Sequence, residues 1–247
     1  MARAQLRFIP HILTLLACSA GLVAVLLAVN GRYEAAVLFV LAAAVLDGLD
    51  GRVARMLNAS SQFGVEFDSL SDVVAFGVAP GLILYHWLFF DLQSEWGWIV
   101  VVVLGVCAAL RLARFNAEKI AEQDLEPTVQ NPFYFTGLAA PSAALLALLP
   151  MMISFGIWPD LTEQLWVELA VALWVLAIGF LMISRVPTFS FKGGNFVREH
   201  AVLLSFAAGL VGILFVFSPW TMLAVASGAY ALSIPLAYLC CQRGIAN

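Results

Sequence analysis

The sequence is dominated by apolar runs long enough to cross a lipid bilayer. A membrane-spanning helix needs about 20 mostly apolar residues. Eight stretches meet that demand: 11–29, 33–57, 65–90, 96–115, 137–156, 165–183, 201–217 and 222–239. Within hydrocarbon every backbone N–H and C=O must find a partner inside the protein, which leaves helical bundles and closed barrels. Barrel strands would alternate polar and apolar residues, whereas these runs are apolar throughout. The expectation is an all-α, polytopic transmembrane helical bundle of about eight spans, with residues 1–247 as a single membrane-embedded domain.

Composition removes the alternatives. Hydrophobic residues make up 63% of the chain, charged residues 11%, and the mean hydropathy is +0.96. Soluble domains carry about 25% charge, so a water-soluble enzyme and a disordered chain are both excluded. The net charge of −4 offers no basic face, and no nucleic-acid partner is expected. Cys18 and Cys107 lie inside apolar runs, and Cys240 and Cys241 are adjacent. None has metal-ligand or disulfide-framework spacing, so they read as small apolar packing residues. The first apolar run is too long for a signal-peptide core and more spans follow, so no cleavable signal is expected.

Orientation follows from basic residues, which collect on the cytoplasmic side. With the N-terminus inside, eleven of the twelve Lys and Arg residues fall inside, and only Arg32 falls outside. Glu34, Asp91, Glu95, Asp160 and Glu163 sit in the outer segments. This split supports an even number of spans and cytoplasmic N- and C-termini. Residues 1–10 suit either an interfacial helix or a frayed basic end. The polar insert 117–135 reads by default as a solvated inner loop, with a lid over a site as the alternative.

The chemistry concentrates in 47–72, DGLDGRVARMLNASSQFGVEFDSLSD. Asp47 and Asp50 are three apart, and Asp68 and Asp72 are four apart. Both spacings put a pair on one helix face. The second span ends inside and the third begins there, so two antiparallel helices present two carboxylate pairs at one depth. Uncompensated, four carboxylates would repel strongly, and ionisable groups at membrane depth usually serve function. Arg52 and Arg55 supply only two nearby bases. An all-oxygen donor set suits Mg²⁺ or Mn²⁺. Such ions in turn suit a phosphate-bearing substrate. The plain alternative is a set of interfacial charges that ends two helices. Gly51 and Gly64 allow close approach of backbone or ligand. Arg55 lies about 12 Å along the axis from Asp47 and can reach a phosphate oxygen.

The pattern Asp47-x-x-Asp50-Gly51-x-x-Ala54-Arg55, eight residues, Gly64, three residues, Asp68, three residues, Asp72 resembles the complete signature of the CDP-alcohol phosphatidyltransferases. The resemblance implies a metal-dependent integral membrane enzyme that cleaves a CDP-linked lipid. It implies divalent metal on Asp47, Asp50 and Asp68. It makes Asp72 the general base, with a further contact to metal. It assigns Gly51, Arg55, Ser61 and Gly64 to the CDP-lipid. For Ser61, an ordinary turn or cap residue is an equal reading.

Four further stretches, 73–85, 109–118, 135–144 and 184–192, are similar to segments of the integral-membrane phosphatidylserine synthases. That resemblance implies CDP-diacylglycerol and L-serine as substrates, a homodimer, and a prokaryotic cell membrane with the site facing the cytoplasm. Arg111, Arg114 and Asn116 fall at the inner end of span four, level with the aspartates. Arg185 and Lys192 flank Pro187 after span six. These residues are candidates for the serine carboxylate or lipid phosphate, and positive-inside anchoring accounts for the basic ones equally. His11 stands after Pro10 where many relatives carry Asn, and it reads as a headgroup-level histidine.

Three rivals remain. The same chemistry with inositol phosphate, glycerol phosphate or choline as acceptor would leave the signature unchanged. An intramembrane prenyltransferase would need a second acidic motif in the distant half, and no comparable Asp pair occurs within a later span. A divalent-cation transporter would need polar residues along a mid-membrane path.

Overall fold

The computed structural model describes residues 8–57, 59, 61–90, 96–123, 134–163, 166–184, 187–189 and 217–245. Helix α1 is Ile9–Val29, α2 is Tyr33–Met56 and α3 is Gln62–Phe89. Helix α4 is Gly97–Gln123, α5 Ala140–Ala147, α6 Leu149–Gly156, α7 Val167–Ile183 and α8 Pro219–Ile245. Among the described residues α1, α3 and Gly97–Glu118 of α4 are long and apolar enough to cross a membrane. Helix α2 has the length, but Asp47, Asp50, Arg52 and Arg55 load its C-terminal turns. The expected span 201–217 lies outside the described residues apart from Phe217, as do residues 1–7.

Helices α1 and α2 form a hairpin joined through Gly31, whose φ of 71° suits a residue without a side chain. Their shared face is built of small residues. Ala17, Ala20, Ala24 and Ala28 are buried on α1, and Ala36, Val37, Val40 and Ala43 on α2. Small side chains let helices pack closely where no hydrophobic force separates protein from lipid. Large apolar side chains face outward instead, among them Leu15, Leu22, Leu26, Leu173 and Phe180. An apolar exterior of this kind needs an apolar surrounding.

Helix α3 runs antiparallel to α2. The Tyr33 hydroxyl donates to the His86 carbonyl at 2.8 Å, tying the start of α2 to the far end of α3. Two π-helical segments, Val73–Val78 and Tyr85–Phe89, interrupt α3. The first begins directly after Asp72, and π-turns often sit beside functional sites.

The structure departs from the expected spans at three places. The run 137–156 is two helices, α5 and α6, broken at Leu148. Pro150 has no N–H for the carbonyl of Leu146. The Trp174 indole N–H of α7 donates to that carbonyl instead, at 2.7 Å. The expected loop from 117 is at first helix, because α4 continues to Gln123. Its AEKIAEQ sequence is rich in helix formers, and Arg114 pairs with Glu118 one turn on, at 3.6 Å. Finally, the bundle is not purely α. Tyr134–Thr136 and Pro187–Phe189 form a two-stranded antiparallel ladder, with Phe135 opposite Thr188. Strands of three residues leave no periodic trace in sequence.

Candidate active site

Two helix ends build the site. Helix α2 brings Asp47 and Asp50 in its closing turns. The chain then reverses, and α3 begins at Ser61, an extended N-cap residue whose hydroxyl accepts from the Gly64 N–H at 3.0 Å. Ser61 is therefore a cap, and it also lines the cleft described below. From that start α3 carries Asp68 and Asp72 back past α2.

Asp47, Asp50 and Asp68 each offer a carboxylate oxygen, and these oxygens lie within 4.8 Å of one another. Asp50 is buried, and Asp47 and Asp68 are half-buried. Asp72 stands outside this trio, with its carboxylate beside that of Asp47. Two carboxylates this close repel unless a proton or a cation is shared between them. The Arg111 guanidinium faces Asp72 and Asp47 from α4, with Tyr230 of α8 near it. Arg111 Nε is buried and has no hydrogen-bond partner among the described residues.

Two cavities meet at this cluster. One, of about 170 Å³, is lined by His11, Asp50, Gly51, Arg55, Ser61, Gly64 and Asp68, with Pro10, Thr14 and Ala54 completing much of its wall. All four candidate CDP-lipid residues fall in this cleft. The other, of about 110 Å³, is lined by Asp68, Ser69, Asp72, Arg111, Asn116 and Pro141. Asp68 belongs to both walls. The Asn116 amide donates to Ser69 Oγ at 2.9 Å, fixing the outer rim of the smaller chamber.

The remaining candidates separate. Arg114, one turn from Arg111, donates to the Ile183 and Ser184 carbonyls at 2.6 and 3.4 Å. It caps the C-terminus of α7, where helix carbonyls lack partners. It lines neither cavity. Arg185 and Lys192 lie outside the described residues, as do 124–133 of the polar insert.

Sequence reasoning missed several participants. His11, read from sequence only as a headgroup-level residue, lines the larger cleft. Its ring lies 2.6 Å from where a Cβ on Gly64 would stand, and it meets Phe63 edge-on at 5.8 Å. Thr14 donates to Asp50 at 2.7 Å. Ser69 and Tyr230 join the smaller chamber and its arginine. A threonine within an apolar span gave one faint signal, since such residues usually bond the carbonyl four back.

The family model for CDP-alcohol phosphatidyltransferase matches residues 7–236. A Mycobacterium bovis protein named CDP-diacylglycerol–serine O-phosphatidyltransferase is 35% identical, over 94% of this chain and 79% of that protein. A Helicobacter pylori protein of the same name is 33% identical, over 90% of this chain and 87% of its own. An archaetidylserine synthase of Methanothermobacter thermautotrophicus is 33% identical, over 72% of this chain and 68% of its own.

Proposed function

The chain belongs to the CDP-alcohol phosphatidyltransferase family, and from that premise we propose that it transfers a phosphatidyl group from CDP-diacylglycerol to the hydroxyl of L-serine, giving phosphatidylserine and CMP. The observation that carries this reading is the pair of cavities sharing Asp68, one lined by all four candidate CDP-lipid residues and the other by Asp72, Arg111 and Asn116. The names of the mycobacterial and Helicobacter relatives support serine as the acceptor.

Asp47, Asp50 and Asp68 would hold the divalent metal, Mg²⁺ or Mn²⁺. Their hard oxygens at mutual distances within 4.8 Å fit such an ion. A bound ion would offset the negative charge of the diphosphate and of the departing CMP. Gly51, Arg55, Ser61 and Gly64 hold the CDP end. In the smaller chamber Arg111 takes the serine carboxylate, its free Nε supplying a donor. Asn116 and Ser69 bound the remaining space. Asp72 removes the proton from the serine hydroxyl. The serine oxygen bonds to the lipid-side phosphorus, and the bond from phosphorus to the CMP oxygen breaks, CMP leaving with the electron pair.

We take the site to face the cytoplasm of a prokaryotic cell membrane, in a multi-pass homodimer. The distribution of Lys and Arg supports that orientation, and the family resemblance supports the dimer. The site lies where water-borne serine and a lipid-anchored nucleotide can meet. Purified protein given CDP-diacylglycerol with serine, inositol phosphate, glycerol phosphate or choline tests the acceptor. Mass spectrometry should find a new phospholipid in the serine arm. A new lipid only in another arm would keep the chemistry and overturn the acceptor.

A further inference from the structure

We propose that Thr14 of α1 is the positioning residue of the acidic cluster. It fixes Asp50 through its side chain and α3 through its backbone. The inference rests on the metal reading above. Thr14 Oγ1 lies 2.7 Å from Asp50 Oδ2 and 3.1 Å from the Pro10 carbonyl oxygen. A hydroxyl has one proton, and both neighbours are acceptors when Asp50 is ionised. The shorter contact, to the charged oxygen, takes it. Thr14 is 4% exposed and Asp50 5%, so little water reaches the bond. One Asp50 oxygen is thereby held, and the carboxylate cannot swing away from Asp47 and Asp68.

The second contact concerns the other acidic helix. Ser71 Oγ donates to the Thr14 carbonyl at 3.2 Å, and Ser71 is 3% exposed. Ser71 directly precedes Asp72 and lies three after Asp68. A single residue of α1 thus touches α2 at Asp50 and α3 beside Asp72. Gly21, two turns along α1, keeps the helices close enough for this. A Cβ there would stand 2.7 Å from the Ala75 Cα. Helix α1 contributes no aspartate, yet it sets the relative register of the two helices that do. Partners that orient metal-binding groups typically change metal affinity by ten to a hundredfold when removed.

The test is Mn²⁺ binding, read by electron paramagnetic resonance on the full chain in nanodiscs without substrate. Thr14→Val keeps the shape and removes the donor. Thr14→Cys, a weaker donor, is the second variant should valine prevent folding. Thr14→Ser keeps the hydroxyl. The expected result is Mn²⁺ affinity lowered ten to a hundredfold in Val or Cys, and within about threefold of the parent in Ser. Parent-like affinity in Val or Cys, or a Ser variant as weak as Val, overturns the role of Thr14 alone. A parent protein that does not bind Mn²⁺ overturns the metal reading and this inference together.

Discussion

The carboxylates of Asp47 and Asp72 lie side by side across the α2–α3 interface, although they are 25 positions apart in the chain. This contact joins two functions in one cluster. Asp47 belongs to the oxygen trio, while Asp72 faces the smaller chamber and Arg111. A proton acceptor must reach the acceptor hydroxyl, and only Asp68 and Asp72 among the four aspartates line that chamber.

Asp72→Asn should therefore lower kcat by about 10²–10⁴-fold, the usual contribution of a general base. Binding of CDP-diacylglycerol should change little, because Asp72 does not line the larger cleft. Turnover measured with saturating serine, beside equilibrium binding of the CDP-lipid, checks both halves. Retained turnover removes Asp72 as the base.

Arg111 and Arg114 should behave differently despite lying one helical turn apart. Arg111→Gln should raise the KM for serine tenfold or more, since a charged hydrogen bond contributes about 1.5–3 kcal/mol. Arg114→Gln should leave that KM nearly unchanged. It should instead weaken the packing of α4 on α7 by about 0.5–1.5 kcal/mol, because the exposed Ile183 carbonyl loses its donor. Serine kinetics and thermal unfolding in detergent separate the two effects.

Gly64→Ala should impair the nucleotide side selectively. Its new Cβ would stand 2.6 Å from the His11 ring and 3.1 Å from Ser61 Oγ. Both groups line the larger cleft, so the KM for CDP-diacylglycerol should rise while that for serine holds. Pairing it with His11→Ala, which opens the space, should restore part of the loss.

The clustering of the aspartates was largely legible in the sequence. Helical spacing alone puts Asp47 beside Asp50 and Asp68 beside Asp72, and the short reversal after Met56 brings the pairs together. Helix limits also follow from apolar run length, as α1 and α7 illustrate. What escaped depends on partners distant in sequence. Nothing near Pro150 announces that Trp174 will satisfy the carbonyl it leaves free. Nothing in 109–118 distinguishes Arg111 from Arg114, because the difference is the end of α7 waiting beside one of them. Thr14 likewise gives only a faint signal until α1 packs on α2.

Trp174→Phe tests that kind of long-range support. It removes the indole donor and leaves the buried Leu146 carbonyl without its partner. The expected cost is about 1–3 kcal/mol of stability, seen as a lowered Tm. The KM for either substrate should be unaffected, because Trp174 lines neither cavity of the site.

The most direct measurement is CMP release from CDP-diacylglycerol by the EDTA-treated protein, titrated with Mn²⁺ in the presence and absence of L-serine. The account predicts no release without metal, and release that rises with Mn²⁺ only when serine is present. It also predicts loss of that response in Asp50→Ala and Asp68→Ala. Serine-dependent release that persists without divalent metal, or that survives both substitutions, would contradict it.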